Sequence, residues 1–378
     1  MKKPLTTIAA AALCACACMA QAQTPSSVTL YGVVDIPIEY VSNAATSNGG
    51  AASVVRMASG GGLSGSRWGL RGVEDLGDGN QALFVLENGF GPDTGNLQQG
   101  NRLFGRQAFV GLNNARYGKL TLGRQYTAIF DVLGGFAPIK YATLWEPLIL
   151  QVGLNGRSDN TIKYSTVFGP VTAIAHWSFG NGTLGNGEVP GQFRRDTGFG
   201  AGATYFAGPF GIGVTYDQFN PSLATNGSAT ATIRKAAVGA SYAVGSTLTL
   251  MAGYRWGQAQ APAGLASAVT QNRDDYYWFG VNYQATNALA LMLGYSYDNL
   301  KGVATSATAV SNPANPWQIQ LLADYTLSKR TDLYLTAAYA KNAGLGLDTA
   351  MTAFAAGHQL AVGKDNMVGV AGGIRHRF

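Results

Sequence analysis

Apolar residues alternate with small or polar ones at every second position in segment after segment of this chain. In LALMLGYSYD, which begins at Leu289, the leucines and tyrosines fall on one face and mostly Ala, Gly, Ser and Asp on the other. The stretches TLTLMAGYRW, from Thr247, and WQIQLLADY, from Trp317, repeat the pattern. Successive side chains of a β-strand point to opposite faces, so this period predicts strands with one apolar face and one small or polar face.

The number of these segments narrows the choice of architecture. An even count of short alternating strands is typical of single-chain barrels that cross the bacterial outer membrane. The sixteen predicted strands are residues 28–41, 66–75, 80–90, 102–113, 117–126, 159–168, 171–180, 197–206, 210–219, 233–243, 247–257, 273–284, 288–299, 316–327, 331–342 and 367–378.

The connections between these segments alternate between short and long. Tight turns follow Asp75, Phe168, Ala207, Val244 and Ser328, and the intervening connections are long and rich in Gly, Asn, Ala and Ser. Short turns at one rim and long loops at the other are expected of an outer-membrane barrel, whereas a soluble sandwich gives no reason for the alternation. The pattern predicts an all-β fold, a transmembrane 16-stranded antiparallel β-barrel.

The apolar faces carry aromatic residues near the strand ends, where a membrane barrel has its interfacial girdles. The alternative, that these residues form the core of a soluble sheet, fits poorly because the opposite face is too polar to make a second core. The predicted girdle residues are Tyr205, Tyr242, Tyr283 and Tyr325 towards the short turns, and Trp256, Tyr297 and Tyr339 towards the long loops.

The first residues have the organisation of an export signal. Two lysines precede an apolar stretch and the tripeptide Ala-Gln-Ala, which ends at Ala22. We therefore predict a cleaved signal peptide, residues 1–22, followed by the barrel, residues 23–378. All three cysteines lie inside this signal, so the exported chain should have no disulfide and no thiolate metal site. Cleavage as a lipoprotein at one of them is the rival interpretation.

Charge and motifs exclude several other classes of protein. The formal charge of +6 is small for 378 residues, and no basic run has interleaved aromatics, so nucleic acid is not an expected partner. No cofactor or metal motif is present. His176 beside Ser178 leaves an enzyme as an alternative, but no Gly-x-Ser-x-Gly turn accompanies the pair. We predict that the protein is not an enzyme.

Three segments carry a family resemblance: SRWGLRGVEDLGDG from Ser66, RLFGRQAFVGLNNARYGKLTLGRQY from Arg102, and VGVAGGIRHRF, which ends at Phe378. They resemble the general diffusion porins of Gram-negative bacteria, and the neisserial and burkholderial type most. The resemblance implies an outer-membrane channel for passive diffusion of ions and small hydrophilic solutes.

The resemblance also implies partners and assembly. It suggests a homotrimer that contacts the lipid and lipopolysaccharide of the outer membrane, and whose terminal Phe378 is read by the barrel assembly machinery. The third long loop, about Thr127 to Asp159, is expected to fold inward and narrow the pore.

Strand parity predicts which charged side chains face the lumen. With Val34, Ile36 and Ile38 outward, Asp35 and Glu39 point inward; with Trp68 and Leu70 outward, Arg67 and Arg71 do. Placing Phe109 outward puts Arg106 inside. The same parity assigns Lys163 and Arg255 to the lumen.

In similar porins a cluster of arginines on the wall faces acidic residues on the inward loop. By position in the shared motifs, Arg67 and Arg106 match that cluster, with Arg71 and Arg124 as further candidates. Arg124 shares the parity of the outward Leu120 and Leu122, so it can face inward only if a bulge intervenes. The candidate loop acids are Asp131 and Glu146.

This loop is poor in acidic residues and also contains Lys140 and Arg157. Fixed positive charge at a constriction favours anions over cations, so we predict a weak anion preference. The alternative is that the arginines pair with luminal carboxylates and leave little selectivity.

Two other functions remain open from the sequence. Luminal Tyr276, Trp278 and Tyr334 would suit a substrate-specific channel with an aromatic track. Alternatively, the long loops could bind a partner at the cell surface, as an adhesin does.

Overall fold

The structure, a computed structural model, describes residues 26–181, 188, 190–221, 231–260, 270–304, 310–348 and 358–378. The predicted signal peptide, residues 1–22, lies outside this part of the chain. The described strands form one antiparallel sheet that closes on itself, because the first strand pairs with the last. They are β1 Ser27–Ala45, β2 Ala51–Met57, β3 Arg67–Gly77, β4 Asn80–Gly89, β5 Gln107–Asn114, β6 Gly118–Tyr126, β7 Arg157–Phe168, β8 Val171–Ser178, β9 Gly198–Ala207, β10 Phe210–Phe219, β11 Thr232–Val244, β12 Leu248–Gln260, β13 Thr270–Gln284, β14 Leu289–Ala304, β15 Val310–Ser311, β16 Trp317–Thr326, β17 Thr331–Lys341 and β18 Asn366–Arg377.

The predicted 16-stranded barrel is confirmed. Each of the sixteen predicted segments overlaps one strand of the wall, and the two additional strands, β2 and β15, belong to long connections. Strand β1 pairs with β3 only over Ser27–Val33, and beyond that point its edge pairs with β2 instead. The alternation therefore predicted the wall but not these short extensions of it.

The turns at one rim are short and depend on left-handed backbone. Asp78 and Gly79 have φ of 52° and 75°, and Gly169, Gly208 and Gly245 also have positive φ. Glycine adopts this conformation without the steric penalty of a side chain, which makes it suitable for tight hairpin turns.

The outer face of the wall is apolar and exposed, as a surface in contact with lipid requires. Leu30, Val110 and Leu112 are each more than half exposed. Aromatic rings form rows along this face: Tyr254 lies 5.2 Å from Tyr277 on the next strand, measured between ring centroids. Among the described residues, no helix is both long and apolar enough to cross a membrane.

The connection between β6 and β7, residues 127–156, is the inner loop. It contains two short helices, α1 Ala128–Leu133 and α2 Leu148–Val152, and a 3₁₀ turn, Gly134–Phe136. Several of its apolar residues are fully buried: Ile129, Leu133 and Phe136 have no exposed surface. The packed core thus lies inside the barrel, between this loop and the wall.

Candidate functional site

The inner loop is fixed to strands on different sides of the barrel interior. Nε1 of Trp278, on β13, donates a hydrogen bond to the carbonyl oxygen of Phe136 at 2.8 Å. Nε2 of Gln318, on β16, donates to the carbonyl oxygen of Trp145 at 2.6 Å, and Nε1 of Trp145 donates to Glu39 on β1 at 3.2 Å. The loop therefore crosses the interior and occupies part of its cross-section.

Glycines in the wall make room for this crossing. A Cβ added to Gly213 or Gly239 would lie 2.5 or 2.7 Å from the ring of Phe136, and one added to Gly280 would lie 2.8 Å from Pro138. Any larger residue at these positions would push the loop off the wall. Glycine inside a strand often marks such a close approach, and here it explains why the loop can pack flat.

Glu146 holds the loop together from within. Its two carboxylate oxygens accept hydrogen bonds from the backbone N–H groups of Ile139, at 3.0 Å, and Ala142, at 2.8 Å. Burial raises the pKa of this carboxyl to about 7. The carboxylate of Glu146 therefore interacts mainly with the loop backbone.

Asp131, the other acidic candidate of the loop, is also engaged. Its Oδ2 accepts a hydrogen bond from Nζ of Lys163 on β7 at 2.8 Å, and the same ammonium donates to the carbonyl oxygen of Tyr126. The loop therefore presents few uncompensated negative charges to the pore.

Two arginines of the wall share one carboxylate. Nε of Arg106 lies 2.7 Å from Glu87, Nε of Arg67 lies 3.6 Å from the same group, and the hydroxyl of Tyr31 donates to it at 3.0 Å. Arg71 lies over the ring of Tyr31, 5.7 Å from its centroid. The single negative charge of Glu87 is thus shared by two arginines, and Arg71 lies close by.

A second pair repeats this arrangement. Arg102 and Arg124 approach the carboxylate of Asp159 at 2.7 and 2.6 Å. The bulge that an inward Arg124 requires is present: the pairing of β6 with β7 shifts between Gly123 and Gln125, and Gly123 has φ of 128°. The side chain of Arg124 therefore reaches Asp159 although its strand neighbours Leu120 and Leu122 are exposed on the outer face.

Arg157 completes the group. Its guanidinium lies 4.6 Å from the ring centroid of Tyr126 and donates to the hydroxyl of that residue at 3.1 Å. Tyr126 in turn stacks on Phe130 with 4.1 Å between centroids. Within the part of the chain that the structure describes, no carboxylate forms an ion pair with Arg157. We call Arg67, Arg71, Arg102, Arg106, Arg124 and Arg157 the arginine wall.

A cavity of about 640 Å³ separates part of the arginine wall from the inner loop. Arg102, Arg124 and Arg157 line it, and so does Glu146 from the loop. The three arginines and the loop thus bound the same open space in the barrel interior.

The other predicted lumen charges lie inward but are covered. Asp35 accepts hydrogen bonds from the backbone N–H groups of Gly62 and Ser64, Glu39 pairs with Arg56, and Arg255 pairs with Asp274. Asp35, Glu39 and Arg255 have no exposed surface. These side chains hold loops against the wall.

One parity assignment was wrong. Phe109 was expected to point outward, but it faces inward. It pairs with Val85 and lies two residues before Gly111, so the two share one face of β5. The partner of Gly111 is Thr121, which is buried on the inner face. Arg106 nevertheless reaches Glu87 because β5 begins only at Gln107, and Arg106 lies outside the regular alternation.

Two alternatives from the sequence lose their basis. Tyr276, Trp278 and Tyr334 are at most 5% exposed, so the loops cover them and they form no aromatic track. Nδ1 of His176 accepts a hydrogen bond from the backbone N–H of Ala128, while Ser178 donates to the carbonyl oxygen of Asp159. The histidine is therefore not placed as a base for the serine.

Arg157 was noted as a basic residue of the loop but not placed among the constriction residues. Its contacts with Tyr126 and Phe130 join residues from the end of β6, the inner loop and the start of β7. Because no strand continues through this junction, strand parity could not predict where the side chain of Arg157 lies.

Comparisons with known proteins agree with this architecture. A family model described as Gram-negative porin matches residues 9–345. An outer membrane porin protein of Bordetella pertussis is 34% identical over 419 residues, and outer membrane porin protein 32 of Delftia acidovorans is 32% identical over 392 residues; both alignments cover 100% of each chain. A solved anion-selective porin from Comamonas acidovorans is 26% identical, with a TM-score of 0.74 over 94% of this chain and 100% of its own. The similarity extends over the whole chain.

Proposed function

The chain belongs to the Gram-negative porin family, the channels of the outer membrane, and from that premise we propose that its arginine wall makes the pore prefer anions. The channel is passive and water-filled, and it conducts ions and small hydrophilic solutes. A barrel of sixteen strands is wide enough to leave an aqueous path beside the inner loop.

The observation that carries the selectivity is the balance of charge around the pore. Four of the six side chains of the arginine wall share two carboxylates, those of Glu87 and Asp159. Among the described residues, the other two, Arg71 and Arg157, form no ion pair and lie over the rings of Tyr31 and Tyr126. Across the pore, Asp131 is neutralised by Lys163 and Glu146 is bound by the loop backbone. A permeating anion therefore meets excess positive charge, and a cation meets repulsion.

The size of the effect follows from Coulomb's law. One unit charge at about 7 Å through water contributes about 0.6 kcal/mol, favourable for an anion and unfavourable for a cation. Mobile salt screens part of this at physiological ionic strength. A few uncompensated arginines thus produce a preference for anions and not an exclusion of cations.

The experiment is a measurement of single-channel current and zero-current potential in planar bilayers under a gradient of KCl. We expect ohmic openings and a potential that corresponds to faster movement of chloride. Arg157→Gln should lower the chloride-to-potassium permeability ratio about two- to fourfold, because it removes one nearby charge. Arg116→Gln, at an exposed turn, is the matched control and should leave the ratio unchanged. A potential on the cation side would overturn the proposal.

The family also suggests how the protein is exported and assembled. We propose that residues 1–22 are removed on export, that three copies associate into a homotrimer, and that the barrel assembly machinery and lipopolysaccharide are partners in the outer membrane. The resemblance to general diffusion porins supports this part. The mass of the purified complex and of its chains tests it; a mature chain that begins elsewhere than Gln23, or a stable monomer, would contradict it.

A further inference from the structure

The cavity between the arginine wall and the inner loop has two chemically different sides. One side carries the guanidinium groups of Arg102, Arg124 and Arg157. The other is formed largely by the inner loop, where Leu148, Ile149 and Leu154 line the space and are half-buried. The cavity is thus polar and cationic on one side and aliphatic on the other.

From this geometry we propose that the pore prefers anions that carry an apolar tail, namely monocarboxylates with an aliphatic chain, over equally charged hydrophilic ones. The proposal deepens the proposed function, because it rests on the anion preference of the arginine wall. It assigns a second role, recognition of the tail, to the apolar residues of the inner loop.

The carboxylate end of such a solute has suitable partners. Guanidinium groups donate hydrogen bonds in a planar fork that matches a carboxylate. The ring of Tyr126 and the hydrogen bond to its hydroxyl hold Arg157 in place. Its charge is therefore fixed at the edge of the cavity.

The tail has partners as well. Leu148, Ile149 and Leu154 expose apolar surface to the water of the pore. An aliphatic tail that lies against them removes apolar surface of both partners from water, which is favourable. A polyhydroxylated chain gains nothing there, because its hydroxyls would lose hydrogen bonds to water without replacement.

The volume agrees with this ligand class. A space of about 640 Å³ lies within the range of roughly 300–1,000 Å³ for small-molecule sites and leaves room for one small carboxylate with its water. The contact must stay weak, because a channel conducts only when the solute can also leave. The expected result is faster permeation at low concentration with saturation at high concentration.

The test compares hexanoate with gluconate, which have equal charge and equal carbon number and differ in hydroxyl groups. Zero-current potentials of the full chain in bilayers, with KCl on one side and the potassium salt of either acid on the other, give the permeability of each anion. We expect the ratio of hexanoate to gluconate to exceed the ratio of their mobilities in free solution by about two- to fourfold, the effect of taking up to one methylene out of water.

Variants assign the effect to the loop. Leu148→Ser with Ile149→Ser should reduce the ratio towards that of free solution while the chloride-to-potassium ratio is retained. Leu97→Ser, at a leucine of another long loop that does not line the cavity, is the matched control and should change neither ratio. Leu148→Met keeps the surface apolar and should preserve the preference, which guards against misfolding of the serine variant.

The outcomes separate this proposal from the one before it. A wild-type ratio equal to that of free solution would overturn the apolar-tail preference and leave the anion selectivity standing. A preference that persists in the serine variant would show that the inner loop does not carry it, and would overturn the assignment. If the wild type shows no preference for chloride over potassium, the arginine wall is not a source of anion selectivity, and the proposed function fails.

Discussion

Shared carboxylates are the main feature of this pore at the level of single residues. Glu87 contacts both Arg67 and Arg106, and Asp159 contacts both Arg102 and Arg124. Charge-assisted hydrogen bonds fix Arg102, Arg106 and Arg124, while sharing leaves positive charge in excess. The arginines are therefore ordered without being neutralised, which a one-to-one pairing would not achieve.

Glu146 leads to a prediction about pH. Its pKa rises from the ordinary value of 4.5 to about 7 in the folded loop, so the folded protein binds this proton more tightly than the unfolded one. Such a group stabilises the fold fully below pH 4.5 and loses that contribution as pH rises through 7. Glu146→Gln removes the titration. We expect the thermal midpoint of the variant to rise relative to the wild type between pH 5 and pH 7.5.

The measurement is thermal unfolding followed by circular dichroism at several pH values. Asp365→Asn, at an exposed carboxylate of a different loop that pairs with Lys341, is the control. A difference between Glu146→Gln and wild type that stays constant with pH, or that falls as pH rises, would contradict the prediction.

The sequence was a good guide to some of these residues and a poor one to others. Parity is reliable only where a strand is regular, and Arg106 and Arg124 both lie where it is broken, by the start of β5 and by the bulge at Gly123. The shared motifs identified both as candidates, but only the pairing of strands shows how each reaches its partner. Phe109 was misplaced because it is an apolar residue on the inner face.

The inner loop is the element that shapes the pore. Its position follows from glycines on the facing strands and from hydrogen bonds donated by Trp278 and Gln318. These contacts are many and individually modest, about 1 kcal/mol for a typical hydrogen bond. The loop should therefore stay in place during conduction.

A disulfide tests this position directly. A Cβ on Gly294 would lie 3.2 Å from Cβ of Pro138, a little under the spacing of roughly 3.5–4.5 Å in disulfides, which a small backbone shift can correct. The three natural cysteines all lie in the predicted signal peptide. We expect Pro138→Cys with Gly294→Cys to form a disulfide and to conduct equally before and after reduction.

Gel mobility with and without reductant reports the bond, and bilayer recordings report the conductance. Pro138→Cys with Gly372→Cys, on a strand whose glycine has no loop residue within 4 Å, is the control and should stay reduced. If the first pair of cysteines forms no disulfide, or if reduction of that disulfide raises the conductance strongly, the loop does not lie where the structure has it.

At the same scale, the strands of the wall were predictable and the elements within the long connections were not. A strand with one lipid-facing side imprints a period of two on the sequence. The helices α1 and α2 span only Ala128–Leu133 and Leu148–Val152, too few turns to show a helical period. Strands β2 and β15 are short pairings within long connections and lie outside the sixteen-stranded wall.

For the whole molecule, the seam between the chain ends closes the barrel. The backbone groups of Gly32 and Phe378 exchange two hydrogen bonds, at 3.0 and 3.1 Å. The Phe378 ring lies over Gly32, where an added Cβ would be 2.3 Å from it. The last residue therefore closes the barrel, and we propose that it is also the signal for assembly.

These two roles are separable by experiment. Phe378→Ala keeps both backbone hydrogen bonds, so the protein refolded in detergent should retain its barrel, as seen by heat-dependent gel mobility. In cells we expect a marked loss of folded protein in the outer membrane, because the assembly signal is gone. Phe168→Ala, at another exposed phenylalanine next to a short turn, should be inserted normally. Equal yields of the two variants in the membrane would rule out the signalling role.

The glycines that face the inner loop have a consequence for anyone who wishes to change the aperture of this pore. The inner face of the wall is complementary in shape to the loop: Gly213 and Gly239 leave space for Phe136, and Gly280 leaves space for Pro138. A loop of different shape from another channel would not fit this surface, and a larger residue at any of these three glycines would dislodge the native loop. Pore width in this protein is thus a property of the two parts together, and redesign has to alter both as a matched set.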